Sequence, residues 1–64
     1  LTDRELEVLA LLRERLSNKE IAHMLGLAPA TVKRYTVNLY GKLGVGKRSE
    51  AVIKAEALGI LPPR

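Results

Sequence analysis

The stretch that decides the fold is Gly26–Gly44, GLAPATVKRYTVNLYGKLG. Proline is favoured at the first position of a helix, where its missing N–H would have had no partner anyway. Pro29 stands in that place, and Gly26 and Gly44 stand where a left-handed residue is wanted to end one helix and then the next. Between them Val32, Thr36, Leu39 and Leu43 recur at the helical period, so one side of this helix must be buried. At about 100° per residue the opposite side carries Ala30, Arg34, Val37 and Gly41. Lys33 flanks that face on one side, Thr31, Asn38 and Lys42 on the other, and Tyr35 falls at the edge of the core side.

Two helix starts precede it. Thr2 with Glu5 and Ser17 with Glu20 have capping-box spacing, in which side chain and backbone satisfy each other's orphan groups. Leu1 with Leu6 and Leu16 with Ile21 are placed as hydrophobic staples at the same two starts. The first helix turns Val8, Leu9 and Leu12 to one side; Glu5 also points toward that side, where a buried pairing with a Lys or Arg would satisfy it. After Gly44, Val45–Lys47 make a short connection, and Arg48–Leu58 read as a fourth helix with Ala51, Val52, Ala55 and Leu58 inward, stopped by LPPR. The expectation is an all-α, four-helix bundle-like domain spanning 1–64 as one unit. Its helices fall at about 3–14, 18–25, 29–43 and 48–58.

Sixty-four residues suffice for one small core and no more. With no cysteine, neither disulfides nor thiolate metal sites supplement it. No apolar run approaches the roughly 20 residues that span a bilayer, and the N-terminus is acidic where a signal peptide would be basic. A cytoplasmic chain with no membrane partner is expected. His23 is the single histidine and no cysteine accompanies it, so neither a metal, a cofactor nor enzymatic chemistry is indicated; Met24 reads as ordinary packing.

The net charge is +4, and its distribution says more than its sum. All seven acids lie outside Ile21–Ser49, an interval that carries Lys33, Arg34, Lys42, Lys47 and Arg48. Within the same interval Ala22, Gly26 and Val32, with Ile21 and Leu25, have helix-turn-helix spacing. A small residue lets the next helix cross closely, the glycine allows a positive φ, and the valine plugs the angle between the helices. A narrow, acid-free helix face with small residues at its ends suits a groove about 12 Å wide lined by phosphates. The competing reading is a merely solvated cationic face. Helix four has a second apolar stripe, Ile53 with Ala57, which Ile60 and Leu61 would continue; it reads as a weak dimer seam.

Taken in order and spacing, LTDRELEVLALL, LSNKEIAHMLGL, TVKRY, NLYGKLGV and RSEAV resemble the C-terminal DNA-binding domain of LuxR-type (GerE-like) bacterial transcriptional regulators. The ending EALGILPPR is similar to the large ATP-binding, MalT-like branch. The resemblance covers essentially the whole chain. It implies that helices two and three form the helix-turn-helix and that helix four mediates dimerisation. By the same resemblance the positions of Lys33, Arg34 and Val37 meet bases or nearby phosphates, while those of Thr31, Asn38 and Lys42 hold the DNA backbone. Tyr35 stands where histidine is commonest, with a hydroxyl able to reach a phosphate, and Lys47 adds a cation beside Arg48 near the DNA. Ala28 and Lys47 replace serines that would be N-caps, at a cost of about 1 kcal/mol each.

The expected function is therefore sequence-specific binding of double-stranded DNA for transcription regulation, without cofactor, as a homodimer on DNA and as the C-terminal part of a larger regulator. Two other readings use the same residues. In one, the basic helix-three face grips an acidic protein such as RNA polymerase. In the other, the chain is a sigma-factor-like promoter domain, which leaves the helix-four stripe unexplained.

Overall fold

The computed structural model describes residues 1–62 and contains four helices among them: α1 Asp3–Arg13, α2 Asn18–Leu25, α3 Pro29–Leu43 and α4 Arg48–Ala57. Both capping boxes form. Thr2 and Ser17 accept from the backbone N–H groups of Glu5 and Glu20, whose carboxylates accept in return from the cap N–H groups, each at 2.9 Å. At α3 and α4 the N-cap residues Ala28 and Lys47 offer no side-chain bond, and Pro29 alone marks the start of α3.

Three helices end in the same way. Gly26, Gly44 and Gly59 take φ 68°, 70° and 74°, and the residue after each donates its N–H back five positions: Leu27 to Ala22, Val45 to Tyr40, Ile60 to Ala55. This closes the last carbonyls of each helix as a Schellman turn and folds an apolar side chain back over it. The turn after α1 puts Arg15 at φ 64°, the one non-glycine with positive φ among the described residues.

The core gathers one stripe from each helix. Val8, Leu9 and Leu12 of α1, Ile21 and Ala22 of α2, Val32, Leu39 and Leu43 of α3, and Ala51 and Ala55 of α4 are all buried. Tyr35, Tyr40, Val45 and Val52 pack half-buried around them. α3 makes its broadest contact with α2 and also lies on α1 and α4, so it is held from three sides. Each Val, Leu or Ile side chain so buried contributes about 1.5–3 kcal/mol, which is why so few suffice.

Two expectations at the C-terminal end are corrected. α4 stops at Ala57, and Leu58 is exposed instead of inward. The left-handed Gly59 swings the chain back, and the Ile60 and Leu61 N–H groups both donate to the Ala55 carbonyl, so Leu61 fills the core place expected of Leu58. Leu61 therefore does not continue the Ile53 stripe, and Ile60 is half-buried against the core. The tail is tied down: the Arg13 guanidinium donates to the Pro62 carbonyl and pairs with Glu56 at 3.5 Å. Met24, expected as packing, is exposed. The remainder of LPPR, residues 63 and 64, lies outside the described residues.

Since α3 lacks a side-chain cap, Ala28→Ser should stabilise the domain by about 1 kcal/mol. Thermal unfolding followed by circular dichroism should show the midpoint rising by roughly 4–8 °C. No rise would mean that the amides at the start of α3 are already satisfied.

Candidate nucleic-acid interface

The outer face of α3 is set by what its inner face buries. Val32 and Leu39 are fully enclosed, and Thr36 is accommodated beside them because its hydroxyl donates to the Lys33 carbonyl at 2.7 Å within the same helix. Ala22 lets α2 approach from the other side of the turn, and Gly26 carries the chain around with no side chain of its own. Val32, whose side chain is completely inaccessible, closes the angle between them. With that seat filled, Ala30, Lys33, Arg34, Val37, Asn38 and Gly41 all face solvent. Val37 is 61% exposed in the middle of them. Thr31 and Tyr35 lie half-buried along the borders of this face, as their helical positions require.

The second cationic element is the start of α4, where Lys47 is exposed and Arg48 half-buried. Arg48 lies close enough to α2 to act on Glu20. That carboxyl is lowered from its ordinary value chiefly by the Ser17 N–H and hydroxyl that close the capping box, with a smaller contribution from the Arg48 charge.

Lys42 is placed differently from the other cations. Expected to hold the DNA backbone, it also donates its ammonium to Glu5 Oε1 of α1 at 2.8 Å. Glu5 is 3% exposed, and the side chain of Lys42 remains 51% exposed. The same carboxylate oxygen also accepts the Thr2 N–H. The Lys42 hydrogen bond first, and then the Thr2 N–H, hold the Glu5 carboxyl down at about 2. The expected partner of Glu5 is thus found. The interval Ile21–Ser49, acid-free along the chain, is not acid-free in space, because Glu5 and Glu20 both reach it.

On α4, Ile53 is 66% exposed and Ala57 is exposed one turn later on the same face. Ile53 lies at one edge of an open groove between α1 and α4 whose floor is Leu12 and Val52 and whose rim carries Arg15 and Arg48. Leu58, unforeseen here, adds exposed apolar surface at the end of the helix. The glycine at 59 was the signal that would have placed it outside the core. His23 is exposed. Among the described residues no cluster of His, Cys, Asp or Glu is arranged to hold a metal ion, and no helix is long and apolar enough to cross a membrane.

A short capped α2, a left-handed glycine turn and a longer α3 with an exposed cationic face define a helix-turn-helix domain. The family described as bacterial regulatory proteins, luxR family, matches residues 1–55, and the chain belongs to it. Its class is thereby that of the DNA-binding domains of transcription regulators. The HTH-type transcriptional regulator MalT of Vibrio cholerae serotype O1 is 48% identical over 58 residues, and MalT of Yersinia pestis (strain Pestoides F) is likewise 48% identical over 58 residues. In each case the match covers 91% of this chain and 6% of the relative, so the chain spans only a small part of the regulators it matches. Among solved structures, the response regulator ChrA of a heme-sensing two component system superposes with a TM-score of 0.93 at 39% identity, over 95% of this chain and 30% of that one.

The Glu5 carboxyl generates a pH prediction. Its folded value lies below its ordinary value of 4.5, so its contribution to stability is complete above about 4.5 and is lost as pH falls toward about 2. Melting midpoints measured from about pH 6 to about pH 2 should decline across that window, and the decline should be shallower in Glu5→Gln. Equal slopes in the two proteins would remove Glu5 as the source.

Proposed function

We propose that this domain binds double-stranded DNA sequence-specifically by laying α3 in the major groove, as part of a larger cytoplasmic transcription regulator. The observation that carries the reading is the outer face of α3: Lys33, Arg34, Val37 and Asn38 stand exposed on a helix whose other side is locked into the core. Arg34 is central to that face, one turn after Ala30 and one before Val37, with small residues at both ends that allow close approach. Arg34, Lys33 and Val37 meet base edges; Thr31, Tyr35, Asn38, Lys47 and Arg48 hold phosphates on either side, and Lys42 sits beside the same backbone with Glu5 attached. Such phosphate contacts position the helix, while base contacts carry the sequence information. Two copies pair on a two-fold site through α4, where Ile53 meets its own copy or a near neighbour and Ala57 permits close approach. RNA polymerase is a further partner of the regulator, reached from surfaces that α3 leaves free.

Arginine at the centre of a recognition face matches the O6 and N7 acceptors of guanine with its planar fork, worth about 1–3 kcal/mol against the wrong base. An operator selected from random duplexes provides the test. Arg34→Ala should relax preference at one base pair per half-site while keeping most non-specific affinity, and Arg34→Lys should fall between, since an ammonium keeps the charge without the fork. A uniform loss on every single-base variant of the operator would place Arg34 on a phosphate.

The pairing surface is tested separately. Ile53→Glu should lower affinity for a two-half-site operator and leave half-site binding and the melting midpoint unchanged, because it brings like charges together across the two-fold axis. Equal losses on half-sites and full sites would put Ile53 elsewhere than between the two copies.

A further inference from the structure

Glu5 and Lys42 are 37 residues apart in the chain and 2.8 Å apart in the fold. The acceptor atom, Oε1, takes two donors at once: the Thr2 N–H that begins α1 and the Lys42 ammonium from the last turn of α3. A surface lysine tethered to a surface glutamate is a weak and mobile pair. Here the carboxylate is enclosed and held from a second side by the cap, so the ammonium is drawn to a fixed place. Lys42 nevertheless stays half exposed, on the same flank of α3 as Thr31 and Asn38, and retains two unshared N–H donors of its three.

A phosphate approaching this flank would find a cation whose charge is already offset by a carboxylate at contact distance. We propose that Glu5 is a positioning residue for DNA binding: it stands in for a phosphate on Lys42, withholding that cation from the counterion-displacing set while anchoring the end of α3 to the cap of α1. This rests on the reading of α3 as the DNA-facing helix and adds to it a division among the cations. Lys33, Arg34, Lys47 and Arg48 act on DNA with full charge; Lys42 acts as half of a neutral pair. It also makes the start of α1 and the end of α3 share one atom, so disturbing the Thr2 cap would alter what the far end of α3 presents.

The test uses the dependence of binding on salt for a duplex without operator sequence. Glu5→Gln removes the charge yet preserves the cap, because glutamine serves at the third helical position of a capping box as glutamate does. It should steepen the slope of log K against log salt by about 0.9, the value for one additional phosphate neutralised on duplex DNA. Lys42→Gln alone should leave the wild-type slope unchanged, and in the Glu5→Gln, Lys42→Gln double variant the steepening should vanish. Glu7→Gln, an equal change of net charge at an exposed residue of the same helix, should steepen it less than Glu5→Gln. A merely structural role for Glu5 would lower the melting midpoint without moving the slope.

The proposal is overturned if Lys42→Gln flattens the wild-type slope by about one unit, since Lys42 would then already hold a phosphate. It is equally overturned if the Glu5→Gln steepening persists in the double variant, since the cause would then be bulk charge. Salt-insensitive binding by the wild-type chain would sink the DNA reading itself, a result distinct from either.

Discussion

The burial of Val32, Thr36, Leu39 and Leu43 is the constraint from which the rest of the domain follows, because a helix can offer a partner only the side it does not bury. α3 has 15 residues, and these four commit one side of it along its length. The contacts with α1, α2 and α4 then remove its freedom to roll. A roll of one residue, about 100°, would carry Arg34 away from the centre of the outer face and bring a charge toward the core. Packing and electrostatics thus favour the same orientation, and the small core suffices to define the outward side chains even though it holds no fully buried aromatic ring.

That precision coexists with incomplete local stabilisation. α1 and α2 begin with reciprocal capping boxes, whereas α3 and α4 begin without any side-chain cap. At α4 the residue in the cap position is the cation Lys47, unfavourable beside the positive end of a helix dipole. Lys47 is also exposed and takes no part in the core. Arg15 is comparable: it holds a left-handed conformation that three glycines hold at the other helix ends, a choice that costs on the order of 1 kcal/mol.

Much of this was legible in the sequence because the decisive partners lie within five residues of each other. Thr2 with Glu5, Ser17 with Glu20, Pro29 at its helix start and the glycines at 26 and 44 are local chemistry, and the four-helix order follows from them. The inward stripes of α1 and α3 were legible as periodicity. The tail was misread for a physical reason: extending the α4 period through Leu58 assumes that the helix continues, while Gly59 followed by Ile60 repeats the glycine-then-apolar ending of Gly26–Leu27 and Gly44–Val45. Met24 shows the converse limit. An apolar residue next to half-buried Leu25 has no local mark to say that nothing packs over it.

Electrostatics was legible only as a projection onto the chain. The interval free of acids correctly marked where cations gather, but it ignored helices that fold across it. Glu5 was recognisable as an inward acid in need of a cation, yet five basic residues were available in that interval and nothing local selects Lys42 among them. The selection is made by the packing of α1 on α3, which brings the first turn of one helix to the last turn of the other. Once there, the carboxylate cannot be left unpaired in an enclosed place at small cost, so the pair and the helix packing stabilise each other. The charge that α3 presents to solvent is therefore a property of the α1–α3 contact as well as of its own residues. A substitution in α1 can change the field of the outer face without touching it.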